Sequence, residues 1–504
     1  MKVYLLGAGP GDPSLLTLKA RDILASADVI VYDALASPSL LNHCRRDAEI
    51  LYVGKVAGNH ALPQPKINEL LIAKAREGKT VARLKGGDPY IFGRGGEEAL
   101  ALLEAEIPFE EVPGISSTIA APAYAGIPLT HRDLVSSVTL ITGHEKAEKD
   151  HSSLNWQALA QSGSTLVFVM GMKNLPHISK ELMAAGLAPE TPAALIYRGT
   201  TAAQRSLVAT LRDLPARAEE AKFTNPSVIV VGQVVSLRDE LNWFEKRPLF
   251  GKSIVVTRAR EQASDIVASF SDLGAEVIQC PTIRIAPLAD YSELDAALAA
   301  IERYQWIFFT SANAVDFFWQ RLAALGFDTR KLAQASISAM GPGTAKALAE
   351  HGISPDLIPQ RFVAESLVTD FLARREDKTR PILLPRAKEA RDILPERLRA
   401  EGYQVDVIPC YETLPDASQK ARVEELLNEG RLSCITFASS STVRNFLKLI
   451  SADTLGRHPE LKLAAIGPVT AQTLQAAGLP CHIQPETYTI KALIEAVACD
   501  LSRS

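Results

Sequence analysis

Two glycine-rich loops that also carry carboxylates are the parts of this sequence best suited to hold a small ligand. The first, GAGPGD at residues 7–12, follows the apolar run KVYLL. The second, KGGDPYIFGRGGEE at residues 85–98, follows TVARL. Because both follow strand-like runs, we expect them at the same carboxyl edge of a parallel sheet. Acidic loops of this kind favour a neutral or cationic ligand with hydroxyl groups over a phosphate.

The first loop does not match the common phosphate-binding patterns. A dinucleotide-binding loop has a third glycine where this chain has Asp12, and no Gly-Lys-Ser/Thr ending follows. Asp12 would oppose a pyrophosphate, and Pro10 removes an amide donor. We therefore disfavour a nicotinamide oxidoreductase. Taken alone, the loop is better explained as a plain strand-to-helix turn whose glycines allow a tight backbone.

A candidate base and a candidate acid stand at the ends of two further predicted strands. Asp33 ends VIVYD and Lys55 ends EILYVGK, so both belong to the strand ends where α/β proteins place their sites. A carboxylate and an ammonium group in one site could move protons. The plainer interpretation of the residues alone is that Asp33 caps a helix and Lys55 is a solvated strand end.

The elements that position these residues alternate between strand-like and helix-like segments, which predicts parallel α/β sheets. The chain has 504 residues, 47% of them apolar and 22% charged, with a formal net charge of −4. That length exceeds one typical core. The charge indicates no nucleic-acid binding, and no run is apolar enough for a membrane span. Six scattered cysteines indicate a reduced, cytoplasmic protein without a metal site.

The chain divides, by its sequence pattern, into units at 1–245 and 251–504. We expect the first unit to be bilobed, with the lobes meeting near residues 128–138. The second unit is internally duplicated, since WIFFTSANAV matches CITFASSSTV and ISAMGPGTA matches LAAIGPVTA. Two similar lobes commonly leave a cleft that binds a ligand.

The amino-terminal motifs GAGPGDPSLLTLKA, VIVYD, RLKGGDPYIFGRGGEE, VPGISS, AYAGIPLTHR, FVMG and RGT resemble those of S-adenosylmethionine-dependent uroporphyrinogen-III C-methyltransferases over about residues 1–245. The resemblance implies a bilobed tetrapyrrole methylase fold, S-adenosyl-L-methionine as cofactor and a homodimer through this half. It makes Asp33 the proton acceptor and Lys55 the proton donor. The cofactor contacts that it implies by matched position are Pro10, Gly86, Gly87, Asp88, Ile91, Ser116, Ser117, Met170 and Gly199. The pair Ser116-Ser117 departs mildly from the Thr-Ala that relatives often carry.

The tetrapyrrole substrate that this resemblance implies carries eight carboxylates. Arginine forks suit carboxylates, so basic residues near the motifs are candidate contacts. These candidates are Arg45, Arg46, Arg83, Lys85, Arg94, His131 and Arg132. Ordinary surface charge is the alternative for each of them.

Residues 251–504 resemble uroporphyrinogen-III synthase through FTSANAV, two GP-x-TA turns, PRAKEARDILPERL and PCYET. The resemblance implies a two-lobed fold in which the chain crosses twice, with one lobe at about 251–285 plus 413–504 and the other at about 286–412. The implied reaction closes hydroxymethylbilane with inversion of the last ring and needs no cofactor, so positioning supplies much of the catalysis. Tyr411 is the candidate general acid, and a buried core tyrosine is the alternative.

Hydroxyl residues follow the strands of this second unit at matched points of the two repeats. They are Thr310, Ser311, Ser439, Ser440, Thr344 and Thr470. Thr344 and Thr470 follow the two GP turns, and the helix starts at those turns could bind propionate groups. Each of these residues could equally be a helix N-cap.

Together the two resemblances predict a bifunctional enzyme. It would cyclise hydroxymethylbilane to uroporphyrinogen III and methylate that product twice to precorrin-2, toward sirohaem or cobalamin. The alternative is a methyltransferase whose carboxy-terminal half senses a tetrapyrrole without converting it.

Overall fold

The computed structural model describes residues 2–45, 47–54, 62–143, 154–258, 263–390 and 392–502. Its first sheet has the order β3-β2-β4-β1-β5 with every pair parallel. The elements of this part are β1 (Lys2–Gly7), α1 (Leu18–Leu24), β2 (Val29–Tyr32), β3 (Glu49–Tyr52), α2 (Gln64–Arg76), β4 (Thr80–Lys85), α3 (Gly95–Glu104), β5 (Phe109–Val112) and α4 (Ser117–Tyr124).

The second sheet has the order β6-β7-β10-β8-β9. The elements of this part are β6 (Val138–Thr142), α5 (Trp156–Gln161), β7 (Thr165–Val169), α6 (Leu175–Ala184), β8 (Pro192–Tyr197), β9 (Arg205–Thr210), α7 (Leu214–Glu220), β10 (Ser227–Val231) and α8 (Arg238–Leu241). The prediction of a parallel sheet is wrong here, because only β6 and β7 pair in parallel. Residues 198–204, which join β8 to β9, are too few for a parallel crossover.

The carboxy-terminal half contains two further sheets. Its elements are β11 (Ser253–Val256), α9 (Ser264–Asp272), β12 (Glu276–Gln279), β13 (Ile283–Ala286), α10 (Ser292–Ala299), β14 (Trp306–Phe309), α11 (Ala312–Ala324), β15 (Ser336–Ala339), α12 (Pro342–Glu350), α13 (Ala364–Leu372), β16 (Ile382–Ala387), α14 (Ile393–Ala400), β17 (Val405–Pro415), α15 (Lys420–Asn428), β18 (Leu432–Phe437), α16 (Ser440–Leu449), α17 (Ala452–Gly456), β19 (Lys462–Ala465), α18 (Pro468–Ala476) and α19 (Ile490–Leu501).

The duplicated segments exchange halves between these two sheets. The orders are β12-β11-β18-β19 and β13-β17-β16-β14-β15. Each sheet therefore combines the first two strands of one repeat with the last two strands of the other. The predicted two-lobed α/β fold with two chain crossings is confirmed. One boundary was misplaced: β13 was assigned to the first lobe, yet it pairs antiparallel with the end of β17 in the other sheet.

The inner strands of the sheets bury both faces, as expected where helices cover each side, whereas β3 and β9 at two sheet edges are largely exposed or partly buried. In β1, for example, Val3 and Leu5 belong to one apolar cluster, whereas Leu6 belongs to the cluster on the opposite face. In β14 the side chains of Ile307 and Phe308 divide in the same way between two clusters. Within the described ranges, no helix is both long enough and apolar enough to cross a lipid bilayer.

Candidate functional site

The two glycine-rich loops predicted to share an edge are hydrogen-bonded to each other. Gly9 and Gly87 exchange backbone bonds, with Gly87 N donating to Gly9 O at 2.7 Å and Gly9 N donating to Gly87 O at 3.2 Å. Both glycines have positive φ, at 75° and 67°, a conformation that disfavours other residues. The loops after β1 and β4 therefore form one continuous surface at the carboxyl edge of the first sheet.

A third loop, which follows β5, closes against the same surface. A side-chain carbon at Gly7 would lie 2.3 Å from Cα of Gly114, and one at Gly114 would lie 2.3 Å from the Gly87 carbonyl. Ser116 is the N-cap of α4, and Ser117 is its first residue. A carbon added at Gly87 would lie 3.7 Å from each of them, which is an ordinary van der Waals distance. Only glycine permits this close backbone packing, which brings the predicted cofactor residues of three loops together.

Asp88 organises its own loop. Its carboxylate accepts bonds from the N–H groups of Tyr90 at 2.8 Å, Ile91 at 3.1 Å and Gly114 at 3.1 Å. The side chain is 7% exposed. These three bonds use most of the accepting capacity of one carboxylate. They also occupy amides that a phosphate would otherwise need, in agreement with the preference for a cationic or neutral ligand.

Asp12 fastens the first loop to the second lobe. Its carboxylate accepts a hydrogen bond from the Tyr124 hydroxyl at 2.8 Å, and its N–H donates to Thr200 Oγ1 at 3.1 Å. The other carboxylate oxygen caps the turn at Ser14. The aspartate that replaces the third glycine of a dinucleotide loop thus connects the lobes.

Two of the remaining predicted cofactor residues, Met170 and Gly199, come from the second lobe. Gly199 packs so closely that an added carbon would lie 2.4 Å from Cβ of Ala121 in α4. Met170 follows β7 at a φ of 56° and is 49% exposed. Val169, beside it, shares an apolar cluster with Ala121. Pro10 and Gly86 complete the set, and Gly86 faces Leu35 of the loop after β2.

Glu245, which the sequence did not single out, is hydrogen-bonded to the segment that follows Gly199. Its carboxylate accepts bonds from Ser206 at 2.6 Å, Gln204 at 2.8 Å and Arg238 at 2.5 Å. Gln204 in turn accepts a bond from the N–H of Thr200. Burial would raise the pKa of the Glu245 carboxyl, but these bonds outweigh burial and lower that pKa.

Asp33 directly follows β2 and is partly buried. It forms an ion pair with a buried arginine. Its Oδ2 accepts from Nη2 of Arg83 at 2.8 Å and its Oδ1 accepts from the Leu35 N–H at 3.1 Å. The Asp33 side chain is 26% exposed, whereas Arg83 is 3% exposed. Asp33 therefore caps a turn, as its plainer interpretation held, and still presents a carboxylate beside the cofactor loops. Lys55 lies outside the described residues.

Glu98 holds the buried cations beneath Asp33. Its Oε1 accepts from Lys85 at 2.7 Å, from Arg83 Nε at 3.3 Å and from Gln64 at 3.0 Å. The Glu98 side chain is fully buried. Burial and the neighbouring Arg83 lower the pKa of Lys85, against the attraction of Glu98. The motif GRGGEE contains Glu98, but its burial could not be inferred from spacing.

This network argues against two of the candidate substrate contacts. Arg83 and Lys85 are less than 5% exposed and already have partners within the fold. Arg45 pairs with Asp28 and Asp47. Other candidates remain near the surface, where Arg94 pairs with Glu97 and His131 Nδ1 accepts from the Asp133 N–H. Arg46 lies outside the described residues.

In the carboxy-terminal half, Tyr411 meets a residue from the matched strand end. Its hydroxyl lies 3.2 Å from Ser311 Oγ, and its ring stacks on Phe317 at 5.6 Å. Tyr411 is 7% exposed, and burial raises the pKa of its phenol against the opposing effect of the Ser311 bond. The phenol therefore stays protonated at neutral pH and can donate a proton.

The hydroxyl residues divide between capping and other roles. Ser311 and Ser439 are N-caps of α11 and α16, as the alternative interpretation held. Ser440 donates to the carbonyl of Val469, which connects the first turns of α16 and α18. Thr310 directly follows β14. Thr344 and Thr470 are 5% and 4% exposed in the first turns of α12 and α18.

Comparisons with known proteins match both halves. A family model described as tetrapyrrole (corrin/porphyrin) methylases matches residues 2–215, and one described as uroporphyrinogen-III synthase HemD matches residues 264–495. The porphyrin biosynthesis protein HemD of Ruminiclostridium josui is 38% identical over 98% of this chain and 97% of its own length. The S-adenosyl-L-methionine-dependent uroporphyrinogen III methyltransferase of Methanosarcina barkeri is 57% identical over 48% of this chain and 94% of its own length. A crystal structure of uroporphyrin-III C-methyl transferase from Thermus thermophilus with S-adenyl homocysteine matches 47% of this chain and 100% of that chain, with 38% identity and a TM-score of 0.40.

Proposed function

The chain belongs to the tetrapyrrole methylases through its amino-terminal half and to the uroporphyrinogen-III synthases through its carboxy-terminal half, and on this premise we propose how its residues divide the work of two enzymes. The carboxy-terminal unit, 251–504, cyclises hydroxymethylbilane to uroporphyrinogen III. The amino-terminal unit, 1–245, methylates that product twice with S-adenosyl-L-methionine to give precorrin-2.

The observation that carries the methylase assignment is the contact between the Asp33 turn and the glycine-rich loops. A carbon added at Gly86 would lie 2.5 Å from Cβ of Leu35, two residues after Asp33. A protein base and a narrow glycine cradle therefore share one sheet edge. Alkylating a pyrrole carbon requires a proton to leave the macrocycle, and a carboxylate beside the cradle is placed to accept it.

The residues present fit S-adenosyl-L-methionine. A side chain at Gly86 would collide with Leu35, and Gly87 has a positive φ that disfavours other residues, so this loop keeps a bare backbone surface. The carboxylates of Asp12 and Asp88 beside it suit a cation better than a phosphate. The residues that would hold the cofactor are Pro10, Gly86, Gly87, Asp88, Ile91, Ser116, Ser117, Met170 and Gly199. When bound, the cofactor supplies an electrophilic methyl group.

Neighbouring groups of the chain hold the Asp33 carboxylate in place. Arg83 fixes one oxygen of Asp33 and the Leu35 N–H fixes the other, so the carboxylate keeps one orientation. Glu98 holds Arg83 from below through Nε. Lys55, which ends EILYVGK in the sequence and lies outside the described residues, is the proposed proton donor.

In the synthase half, Tyr411 is the proposed general acid. Loss of the terminal hydroxyl of hydroxymethylbilane requires a proton, and the Tyr411 phenol lies beside Ser311 at the carboxyl edge of its sheet. The backbone around it needs only to hold the linear chain in the correct fold for closure.

We place both activities in the cytoplasm and propose a homodimer through the methylase half. The proposed product feeds sirohaem or cobalamin formation.

The deciding experiment supplies the purified chain with fresh hydroxymethylbilane and methyl-labelled S-adenosyl-L-methionine and separates the oxidised products. A labelled, dimethylated type III product supports both activities. Unlabelled type I ring, formed by spontaneous closure, would overturn the synthase assignment and favour a carboxy-terminal half that only senses a tetrapyrrole.

A further inference from the structure

An exposed aromatic ring lies over the glycine that begins a helix in each synthase lobe. Phe362 lies 3.3 Å from a carbon added at Gly341, and Tyr488 lies 3.1 Å from one added at Gly467. The rings are 56% and 60% exposed, so one face of each packs on the protein while the other is open. Neither ring belongs to the motifs quoted from the sequence.

The two rings occupy equivalent positions in the duplication. In each repeat the aromatic residue stands 21 positions after its glycine. In each repeat the residue after the ring also donates its N–H to the carbonyl of the residue before it, from Val363 to Arg361 and from Thr489 to Thr487. The aromatic side chain is thus carried at the tip of a three-residue turn in both lobes.

Both turns lie at the carboxyl edges of their sheets. Leu357 pairs in parallel with Ser338 of β15, and Ile483 pairs in parallel with Ala464 of β19. The chain continues from each pairing into the turn that carries the ring. Each ring therefore follows an isolated backbone bridge to the edge strand of its sheet, on the same side as the starts of α12 and α18.

The two connections between the sheets also involve these carboxyl edges. β12 ends at Gln279, and the chain enters the other sheet at Ile283 in β13. β17 extends past the end of β16 and pairs with β13 through its last residues, up to Pro415. Both connections therefore leave from carboxyl edges, the edges on which the two rings also lie.

A buried threonine also occupies the same position in each repeat. Thr344 and Thr470 stand three positions after Gly341 and Gly467 and are more than nine-tenths buried. In the part of the chain that the structure describes, no side-chain hydrogen bond is recorded for either. Each ring is thus accompanied by a helix start and by a hydroxyl with capacity to bind a carboxylate arm.

We propose that Phe362 and Tyr488 are substrate-positioning platforms, each stacking on one pyrrole ring of the linear tetrapyrrole so that the substrate bridges the two lobes. The inference rests on the proposed synthase function and deepens it. A flat pyrrole ring suits an open aromatic face, and its acetate and propionate arms suit the helix start beside that face. Two matched platforms hold separate parts of one flexible chain, which is what a head-to-tail closure requires.

The test uses the full chain with Phe362→Ala and Tyr488→Ala, and with the ring-keeping variants Phe362→Tyr and Tyr488→Phe. Each alanine variant should raise KM for hydroxymethylbilane about tenfold, and type I ring should increase at the expense of type III. The ring-keeping variants should recover most of the affinity. The thermal midpoint should stay within about 2 °C of the parent, because both rings are more than half exposed.

Binding is measured beside turnover, by rapid-mixing quenching of tryptophan fluorescence with hydroxymethylbilane. Alanine variants with the parent KM, or ring-keeping variants as impaired as the alanine variants, would overturn the platforms. A parent chain that binds hydroxymethylbilane without forming type III ring would overturn the synthase function instead. In that case weaker binding by the alanine variants would still support the platforms, and unchanged binding would overturn them.

Discussion

Asp33 and Arg83 form an ion pair of 2.8 Å that joins the carboxyl ends of β2 and β4. Arg83 is buried, and the Asp33 carboxylate is partly exposed. The buried arginine therefore holds the exposed part of the carboxylate in one orientation. Ordinary surface ion pairs hold no such orientation, because both partners move in water. This pair explains how a strand-end carboxylate can be fixed beside the glycine-rich loops.

Replacement of this carboxylate should stop methylation without affecting ring closure. Asp33→Asn keeps the size and the turn at Leu35 but cannot accept a proton as the carboxylate does. We expect methyl transfer to fall at least about 100-fold. The measurement is incorporation of labelled methyl groups into supplied uroporphyrinogen III. Asp22→Asn, an exposed aspartate paired with Arg21, is the control; an Asp33→Asn rate equal to that control would remove Asp33 from the chemistry.

Glu98 should contribute strongly to stability. It is fully buried between Lys85 and Arg83, so Glu98→Gln leaves two buried cations with reduced compensation. We expect a loss of about 3 kcal/mol in the free energy of unfolding, measured by urea denaturation. Glu104→Gln, on an exposed position of the same helix, should change stability by less than about 0.5 kcal/mol. Equal effects of the two changes would contradict the role of the buried network.

The hydroxyl of Tyr124 should matter for the cofactor. Tyr124→Phe removes its bond to Asp12 and keeps the ring contacts with Trp243 and Phe244. The first loop would then lose its bond to the end of α4, the helix that packs against the second sheet, and the Kd for S-adenosyl-L-methionine should rise roughly fivefold to tenfold. Calorimetric titration measures this change. Tyr4→Phe, in β1, should keep the parent affinity, and equal affinities for both variants would refute the connection.

Tyr411 should act in ring closure and not in methylation. Tyr411→Phe removes the phenol beside Ser311, and we expect kcat for type III formation to fall by about 10- to 100-fold. Because burial raises the pKa of this phenol, parent activity should not decline through Tyr411 until alkaline pH. Tyr403→Phe is a matched control: it is also buried, and its hydroxyl donates to the Glu376 carbonyl. A Tyr411→Phe enzyme as active as this control would leave Tyr411 as a core residue.

Glu245 should make stability depend on pH. Its folded pKa is lowered, so its contribution is present above the unfolded value of about 4.3 and is lost as the pH falls through the folded pKa. Glu245→Gln should therefore be less stable than the parent at pH 7, and the difference should shrink below about pH 4. Thermal midpoints across this range test the sign. Glu240→Gln, exposed nearby, should show no such trend.

Sequence patterns sufficed to predict the local features of this protein. Strand ends after apolar runs located the loops at Gly86 and Asp33, because side chains follow the period of a strand and parallel strands share one carboxyl edge. The motifs also located the duplicated segments. A local pattern could not predict the antiparallel second sheet, since strand order depends on connections that compete in three dimensions.

Tertiary structure alone decided which polar groups are partners and which are free for ligands. The resemblance makes Asp88 a cofactor contact, and the structure adds that its carboxylate also accepts the Gly114 N–H, while the Asp12 carboxylate accepts the Tyr124 hydroxyl. Arg83 looks like a substrate contact and is buried with Glu98. Burial depends on residues distant in the chain, so it cannot be obtained from spacing. The matched rings of Phe362 and Tyr488 lie outside every sequence motif. Their packing on Gly341 and Gly467 depends on the tertiary structure.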